Sequence, residues 1–128
     1  MRRFFYFAGC AALLAGCGGG GDSNPSPFEG SWVGTVFADG DPGETMRLTI
    51  SRDGTITGSE TVGSSTAADT GHVDNNGRFD ITSRLAGTQD VFYQGNMNYN
   101  FNNHLIGTGT ATQGGSSVQF NFDLRPQF

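Results

Sequence analysis

Apolar and polar residues tend to alternate along the chain from residue 28 onward. Met46, Leu48 and Ile50 are separated by polar residues, and Phe120 and Phe122 lie in a segment of the same kind. A period of two is typical of a strand with one buried face and one face in water. No stretch here has apolar residues at every third or fourth position, which is the helical pattern. The alternation therefore predicts an all-β fold.

Seven short segments rich in glycine, asparagine and aspartate interrupt this pattern. Among them, Asp53-Gly54 and Asn76-Gly77 are strong hairpin signals, because these residue types accept the positive φ that tight turns require. The turns separate eight predicted strands, over residues 31–37, 45–51, 55–62, 66–74, 78–85, 90–100, 104–112 and 117–125. Connections this short predict an antiparallel meander, in which strands that are neighbours in sequence are neighbours in space.

An open sheet of eight strands would leave its apolar face uncovered and both of its edges unpaired. Closure of the sheet removes both problems, so we expect an eight-stranded antiparallel up-and-down barrel. A two-sheet β-sandwich is the alternative, since its strands also alternate. Several glycines fall on the inward face, where they either leave a lumen or let the strands coil sharply enough to close, and we expect coiling: Gly34, Gly58, Gly95, Gly107 and Gly109.

The first 16 residues have the order of parts of a secretion signal. Arg2 and Arg3 precede an apolar run that is too short to span a bilayer as a helix. The run ends in Leu14-Ala15-Gly16-Cys17, which resembles the lipobox of bacterial lipoproteins. That resemblance implies cleavage before Cys17, a lipid on its thiol, and attachment of the protein to the membrane of a bacterial cell envelope. Because Gly18 is not the Asp that retains many lipoproteins at the inner membrane, the resemblance favours the outer membrane.

The predicted domain organisation follows from these boundaries. Residues 1–16 form the signal peptide, residues 17–27 form a tether rich in glycine, serine and proline, and residues 28–128 form the barrel. The ten flexible residues after the cysteine would reach about 15 to 20 Å. No cysteine follows Cys17, so the barrel has no disulfide.

Charge narrows the range of partners. Without residues 1–16 the chain has twelve carboxylates, five arginines and no lysine, for a net charge of −7. The arginines are scattered along the sequence, whereas binding to a phosphate backbone needs clustered cations. We therefore expect no nucleic-acid partner, and we expect contact with the membrane through the lipid on Cys17 alone.

The first strand carries a second resemblance. Gly30-Ser31-Trp32 is similar to the Gly-x-Trp that opens the first strand of lipocalins and avidins, and Arg125 lies near the end of the last strand. In that superfamily a basic residue of the last strand lies across the tryptophan, so the resemblance implies that Arg125 packs on Trp32 and closes the barrel. The chain has one tryptophan and no C-terminal helix, so biotin binding is not carried over. The whole chain also resembles small Gly-rich bacterial lipoproteins of unassigned function.

Few residues suggest chemistry. The acidic loop at residues 39–44 could offer oxygen ligands to calcium, but it lacks the spacing of an EF-hand and a solvated turn is the better interpretation. His72 and His104 have neither the spacing nor the companions of metal ligands, and we expect them at the surface. No serine or histidine occurs in the pattern of a catalytic group. The sequence thus predicts no enzyme activity, no cofactor and no metal site.

Function is left open by the sequence. Tyr93, Met97 and Tyr99 share one face and could line a ligand cavity, although packing within the core explains them as well. The leading hypothesis is a lipid-anchored module that binds a small apolar ligand in the barrel or an envelope protein at its loops. The alternatives are an inhibitor of a hydrolase, since small lipid-anchored barrels include inhibitors of lysozyme and of secreted proteases, and a passive envelope component.

Overall fold

The computed structural model describes residues 25–38 and 43–127. Within them lie eight strands and no helix. The strands are β1 (Gly30–Ala38), β2 (Glu44–Ile50), β3 (Thr55–Val62), β4 (Ser65–Val73), β5 (Arg78–Arg84), β6 (Val91–Tyr99), β7 (Leu105–Gln113) and β8 (Ser116–Pro126). Every predicted strand end lies within one residue of the observed end, because the turn residues that separate the strands are unambiguous.

The eight strands form one closed antiparallel barrel in sequence order. Each strand pairs with the next, and β1 pairs with β8 in a register that runs from Trp32↔Pro126 to Ala38↔Phe120. The predicted barrel is therefore confirmed and the sandwich alternative is wrong. Closure leaves no strand edge unpaired, which also removes a route to aggregation.

Apolar side chains fill most of the barrel interior. They come from alternate positions of all eight strands, as the period of two predicts. The side chains that are almost completely buried include Met46, Leu48, Ile50, Ile56, Val73, Ile81, Met97, Leu105, Phe122 and Leu124. This core holds the barrel together without a disulfide.

Glycines allow the strands to approach one another closely. Gly95 of β6 lies opposite Gly109 of β7, and a Cβ atom on Gly95 would lie 1.9 Å from the carbonyl oxygen of Thr108. Such contacts support the prediction that these glycines let the strands coil. Gly107 has a different role, because the ring of Phe122 occupies the space that its side chain would need.

The segment before β1 closes one end of the barrel. The ring of Phe28 is buried and stacks on Tyr99 at a centroid distance of 5.7 Å. Ser26 is also buried, and its backbone N–H donates to the carbonyl oxygen of Arg52 at 2.7 Å. Packing thus begins two residues earlier than the predicted domain start at residue 28. We call this end, with Phe28, Trp32 and Tyr99, the closed end.

The predicted signal peptide, the lipobox with Cys17 and most of the predicted tether lie outside the described residues. In the part of the chain that the structure describes, no helix has the length and apolar character needed to cross a membrane.

Candidate functional site

A cavity of about 380 Å³ opens at the end of the barrel opposite the closed end. Its lining comes from the last residues of β1, β3, β5 and β7 and the first residues of β2, β4, β6 and β8, where the core side chains stop. We call this the open end. Much of its wall is apolar, with contributions from Ala38, Val62, Leu85, Val91, Ala111 and Val118.

Polar side chains form the floor of this cavity. Glu60 of β3, Ser83 of β5 and Tyr93 of β6 line it, and Asp69 of β4 lies deeper in the interior. The strand register explains why two carboxyls meet there. Glu60 pairs with Ala67, and Asp69 pairs with Gly58, so the two carboxyls occupy diagonal positions on the inward face of adjacent strands.

The two carboxyls are buried and have few hydrogen-bond partners. Glu60 is 2% exposed and Asp69 is 1% exposed. The hydroxyl of Tyr93 donates to Oε1 of Glu60 at 2.9 Å. Oε2 of Glu60 and both carboxyl oxygens of Asp69 accept no hydrogen bond of good geometry, although the two carboxyls lie near each other and the hydroxyl of Ser83 lies near both. Because nearly all buried polar atoms in proteins are paired, three unpaired oxygens at one place require an explanation.

Burial shifts the ionisation of this pair. Burial, and then the neighbouring charge of Asp69, raises the pKa of Glu60 well above its ordinary value. Burial also raises the pKa of Asp69, and the charge of Glu44 at the cavity wall raises it further. Ser83 lies close enough to both carboxyls to oppose these shifts in part. The pair therefore keeps a proton at pH values where an exposed carboxyl has lost it.

Tyr93 remains a neutral donor beside this pair. Burial, and then the negative charge of Glu60, raises the pKa of its hydroxyl. The tyrosine therefore keeps its proton and can continue to donate to Glu60.

No basic side chain of the described residues neutralises the pair. The sequence contains no lysine. The arginines at positions 47, 52, 78, 84 and 125 are all exposed, and Arg84 forms an ion pair with Asp90 at 3.1 Å. The countercharge for Glu60 and Asp69 is therefore a proton, unless a cation enters from outside.

The structure separates the three residues that the sequence grouped as cavity lining. Tyr93 lies in the cavity wall. Met97 is fully buried in the core. Tyr99 is 43% exposed at the closed end, where its hydroxyl donates to the carbonyl oxygen of Pro27 at 2.7 Å. Three residues on one face of a strand span several ångströms of barrel height, so they meet different environments.

The predicted contact between Arg125 and Trp32 is not present in the structure. Trp32 points inward and is buried, whereas Arg125 lies opposite Val33 and is exposed, next to the inward Leu124. The two side chains are thus on opposite faces of the barrel wall. The Trp32 ring instead packs against Tyr99 at a centroid distance of 5.6 Å, and its N–H donates to the carbonyl oxygen of Phe28 at 3.1 Å.

The remaining candidates lie away from the floor of the cavity. Residues 39–42 of the acidic loop are outside the described residues. Nε2 of His72 lies 3.2 Å from the carbonyl oxygen of Asp53, and Nδ1 of His104 lies 2.7 Å from Oδ1 of Asp123. Across residues 25–38 and 43–127, no group of three or more His, Cys, Asp or Glu side chains could hold a metal ion.

Sequence reasoning missed Glu60, Asp69 and Ser83. A signal for them was present, because each falls on the inward phase of its strand. Glu60 is two positions after Gly58 and four after Ile56, and Ser83 is two positions after Ile81. A carboxylate in an inward position of an alternating strand indicates a buried charge, and two of them on neighbouring strands indicate a pair.

Comparison of the chain with protein-family models, with curated proteins and with solved structures finds no match. The residues of the cavity therefore indicate what chemistry this chain can perform. A buried carboxyl pair that holds a proton can accept hydrogen bonds, donate one from its protonated member, or bind a cation after losing the proton.

Proposed function

We propose that this chain is a lipid-anchored protein of the bacterial cell envelope whose barrel binds a small molecule at its open end. The observation that carries the proposal is the cavity of about 380 Å³, whose lining exposes more apolar than polar surface and whose floor is polar. Small-molecule sites in proteins are concave, mostly apolar, and furnished with a few convergent polar groups. An eight-stranded barrel is also just wide enough to hold one small ligand.

The direction in which the chain enters the barrel supports this proposal. The described residues begin at Pro25, beside the closed end, and Ser26 is fixed there by its hydrogen bond to Arg52. A lipid on Cys17, eight residues before Pro25 in the sequence, would hold the closed end toward the bilayer. The open end would then face away from the membrane, where a ligand from the aqueous space can reach it.

Binding is favoured over catalysis by the composition of the cavity wall. Neither His72 nor His104 lines it, so no imidazole of the described residues lies beside Ser83 to activate its hydroxyl. We therefore propose a binding module, and we keep the inhibitor and the passive envelope component as outcomes of the test.

Native mass spectrometry of the full chain, purified from its own cells, tests the binding function. A retained small molecule is the expected result. A matched pair of variants shows where that molecule sits: Ala111→Trp fills the cavity and should abolish retention, whereas Ala68→Trp, on the exposed face of β4, should preserve it. A co-purifying hydrolase would favour the inhibitor, and a bare chain that takes up no added ligand would favour a passive component.

Cell fractionation tests the anchor separately. The wild-type chain should sediment with membranes, and Cys17→Ser should release it or leave the signal peptide uncleaved. Equal distribution of the two proteins between membrane and soluble fractions, with the signal peptide removed from both as judged by intact mass, would show that the lipid on Cys17 is not the attachment.

A further inference from the structure

We propose that the ligand of this cavity is a small organic cation, a protonated amine with an alkyl body, whose ammonium group binds Glu60. The inference rests on the proposed binding function and specifies the class of ligand. It is carried by unpaired acceptors at the floor of the cavity, by the absence of a protein cation near them, and by the alkyl character of the walls.

Hydrogen bonding at the floor of the cavity favours a ligand that brings donors. Glu60 is 2% exposed, lines the cavity, and leaves Oε2 without a partner. Tyr93 donates to the other oxygen, Oε1. Oε2 is itself buried and lies on the side of the carboxyl that Asp69 and Ser83 approach, so an incoming donor would take the place of the proton that the pair holds. Asp69, with two unpaired oxygens, lies behind it. An ammonium group brings three N–H donors and no acceptor, which matches a floor that has acceptors in excess.

The charges around the floor of the cavity favour a ligand that is a cation. Glu44, Glu60 and Asp69 bring three carboxyls to one end of the barrel, and the charge of Glu44 reaches Asp69. Every arginine in the described part of the chain is exposed, and the cavity lining contains neither arginine nor histidine. A buried carboxylate needs a countercharge. An incoming cation can supply it in exchange for the proton that the pair otherwise holds.

The alkyl groups of the cavity wall favour an amine over a metal ion as this cation. Hard cations such as calcium take six or more oxygen ligands. The walls above Glu60 instead carry the alkyl groups of Val62, Val91 and Ala111. These groups can bury a hydrocarbon chain but cannot ligate a metal ion. A charged head at the floor and an apolar body along the walls use both parts of the cavity.

Isothermal titration calorimetry with three six-carbon probes tests the inference on the full chain. Hexylamine, hexan-1-ol and hexanoate have the same alkyl body and differ in the charge of the head group. We expect hexylamine to bind about tenfold more tightly than hexan-1-ol, which is the gain typical of a hydrogen bond to a charged group, and hexanoate to bind most weakly. The affinity for hexylamine should rise between pH 6 and pH 8, because its binding displaces a proton from the carboxyl pair.

Two variants test whether the Glu60 carboxyl is the group that binds the ammonium of hexylamine. Glu60→Gln retains the shape of the side chain and removes its charge, so it should reduce hexylamine affinity about tenfold and leave hexan-1-ol affinity unchanged. Glu29→Gln removes an exposed carboxyl at the closed end and should change neither. Circular dichroism spectra that match the wild type would show that each variant is folded.

The results can contradict the inference about a cation without contradicting the proposed binding function. If the three probes bind with equal affinity, or hexan-1-ol binds most tightly in both wild type and Glu60→Gln, the cavity binds apolar molecules and the inference about a cation is wrong. An affinity for hexylamine that is unchanged in Glu60→Gln would also overturn it. If no probe binds and the purified chain retains no molecule, the proposed binding function itself fails.

Discussion

The buried carboxyl pair should make the barrel less stable as pH rises, which is opposite to the behaviour of most carboxyls in proteins. Between the ordinary pKa of a carboxyl and the raised pKa of the pair, the native protein holds protons that the unfolded chain has lost. The free energy of unfolding therefore falls with increasing pH in this window. Each extra proton in the native state gives a slope of about −1.4 kcal/mol per pH unit, and two protons would give about −2.7.

Glu60→Gln is the perturbation that isolates this effect. The amide is neutral at every pH, and its NH₂ group can donate to Asp69. The free energy of unfolding of the variant should therefore fall less steeply with pH than that of the wild type. The difference in slope should be at least the contribution of one proton, about 1.4 kcal/mol per pH unit. It should be close to wild type near pH 4.5, where Glu60 is protonated, and more stable than wild type at pH 8. Asp53 adds little to the pH dependence of the free energy of unfolding above pH 4.5, because hydrogen bonds from Ser51 and Thr55 lower its pKa to about 2.

Urea denaturation at half-unit steps from pH 4.5 to pH 8.5, followed by tryptophan fluorescence, measures the slope. Trp32 is buried at the closed end and reports on global unfolding. Glu29→Gln is the control and should follow the wild-type curve, since its carboxyl is exposed. Parallel curves for wild type and Glu60→Gln would refute the argument, because they would mean that Glu60 has the same pKa in the folded and unfolded states.

Three further predictions concern packing and hydrogen bonding. Gly95→Ala should lower the free energy of unfolding, measured by urea denaturation, by about 1–3 kcal/mol or more, because its Cβ would lie 1.9 Å from a carbonyl oxygen of β7. Gly63→Ala is the control: the residue lies in open space with φ of 64°, and the substitution should lower the free energy of unfolding by only about 1 kcal/mol. Phe122→Ala should lower the free energy of unfolding by about 3–5 kcal/mol, whereas Phe101→Ala, at a side chain that is 97% exposed, should change it by less than about 0.5; equal losses would contradict the core assignment. Tyr93→Phe removes the hydrogen bond that the tyrosine donates to Oε1 of Glu60 and should cost about 1–3 kcal/mol, with a larger loss above pH 8, where Glu60 loses its proton, than near pH 5, where Glu60 holds it; an unchanged stability would show that this bond does not hold the carboxyl.

The strands could be predicted because their signals are local. The alternation of Met46, Leu48 and Ile50 reports which face is buried, and the positive φ at Gly54 and Gly77 agrees with the turns that Asp-Gly and Asn-Gly predict. Closure could be predicted as well, since a meander of eight strands without a helix has few other ways to cover its apolar face. Local pattern and topology therefore lead to the same fold.

The site could not be predicted in the same way, because it depends on height along the barrel axis. Alternation indicates that Tyr93, Met97 and Tyr99 share a face, but only the stagger between strands determines that one lies in the cavity, one in the core and one at the closed end. The pairing of Glu60 with Asp69 likewise depends on the β3 and β4 register. Arg125 fell on the outer face because Leu124 occupies the inward position beside it.

The way the chain enters and leaves the barrel has a consequence for how such a protein can diversify. Pro25 leads in beside the closed end, and the backbone N–H of Gln127 donates to the carbonyl oxygen of Ser31 at the same end. The described turns at the other rim, which join β3 to β4, β5 to β6 and β7 to β8, therefore take no part in joining the first strand to the last. Insertions there, for example at Gly63 or Gly87, whose surroundings are open, can reshape what the rim recognises while the seam between β1 and β8 remains intact.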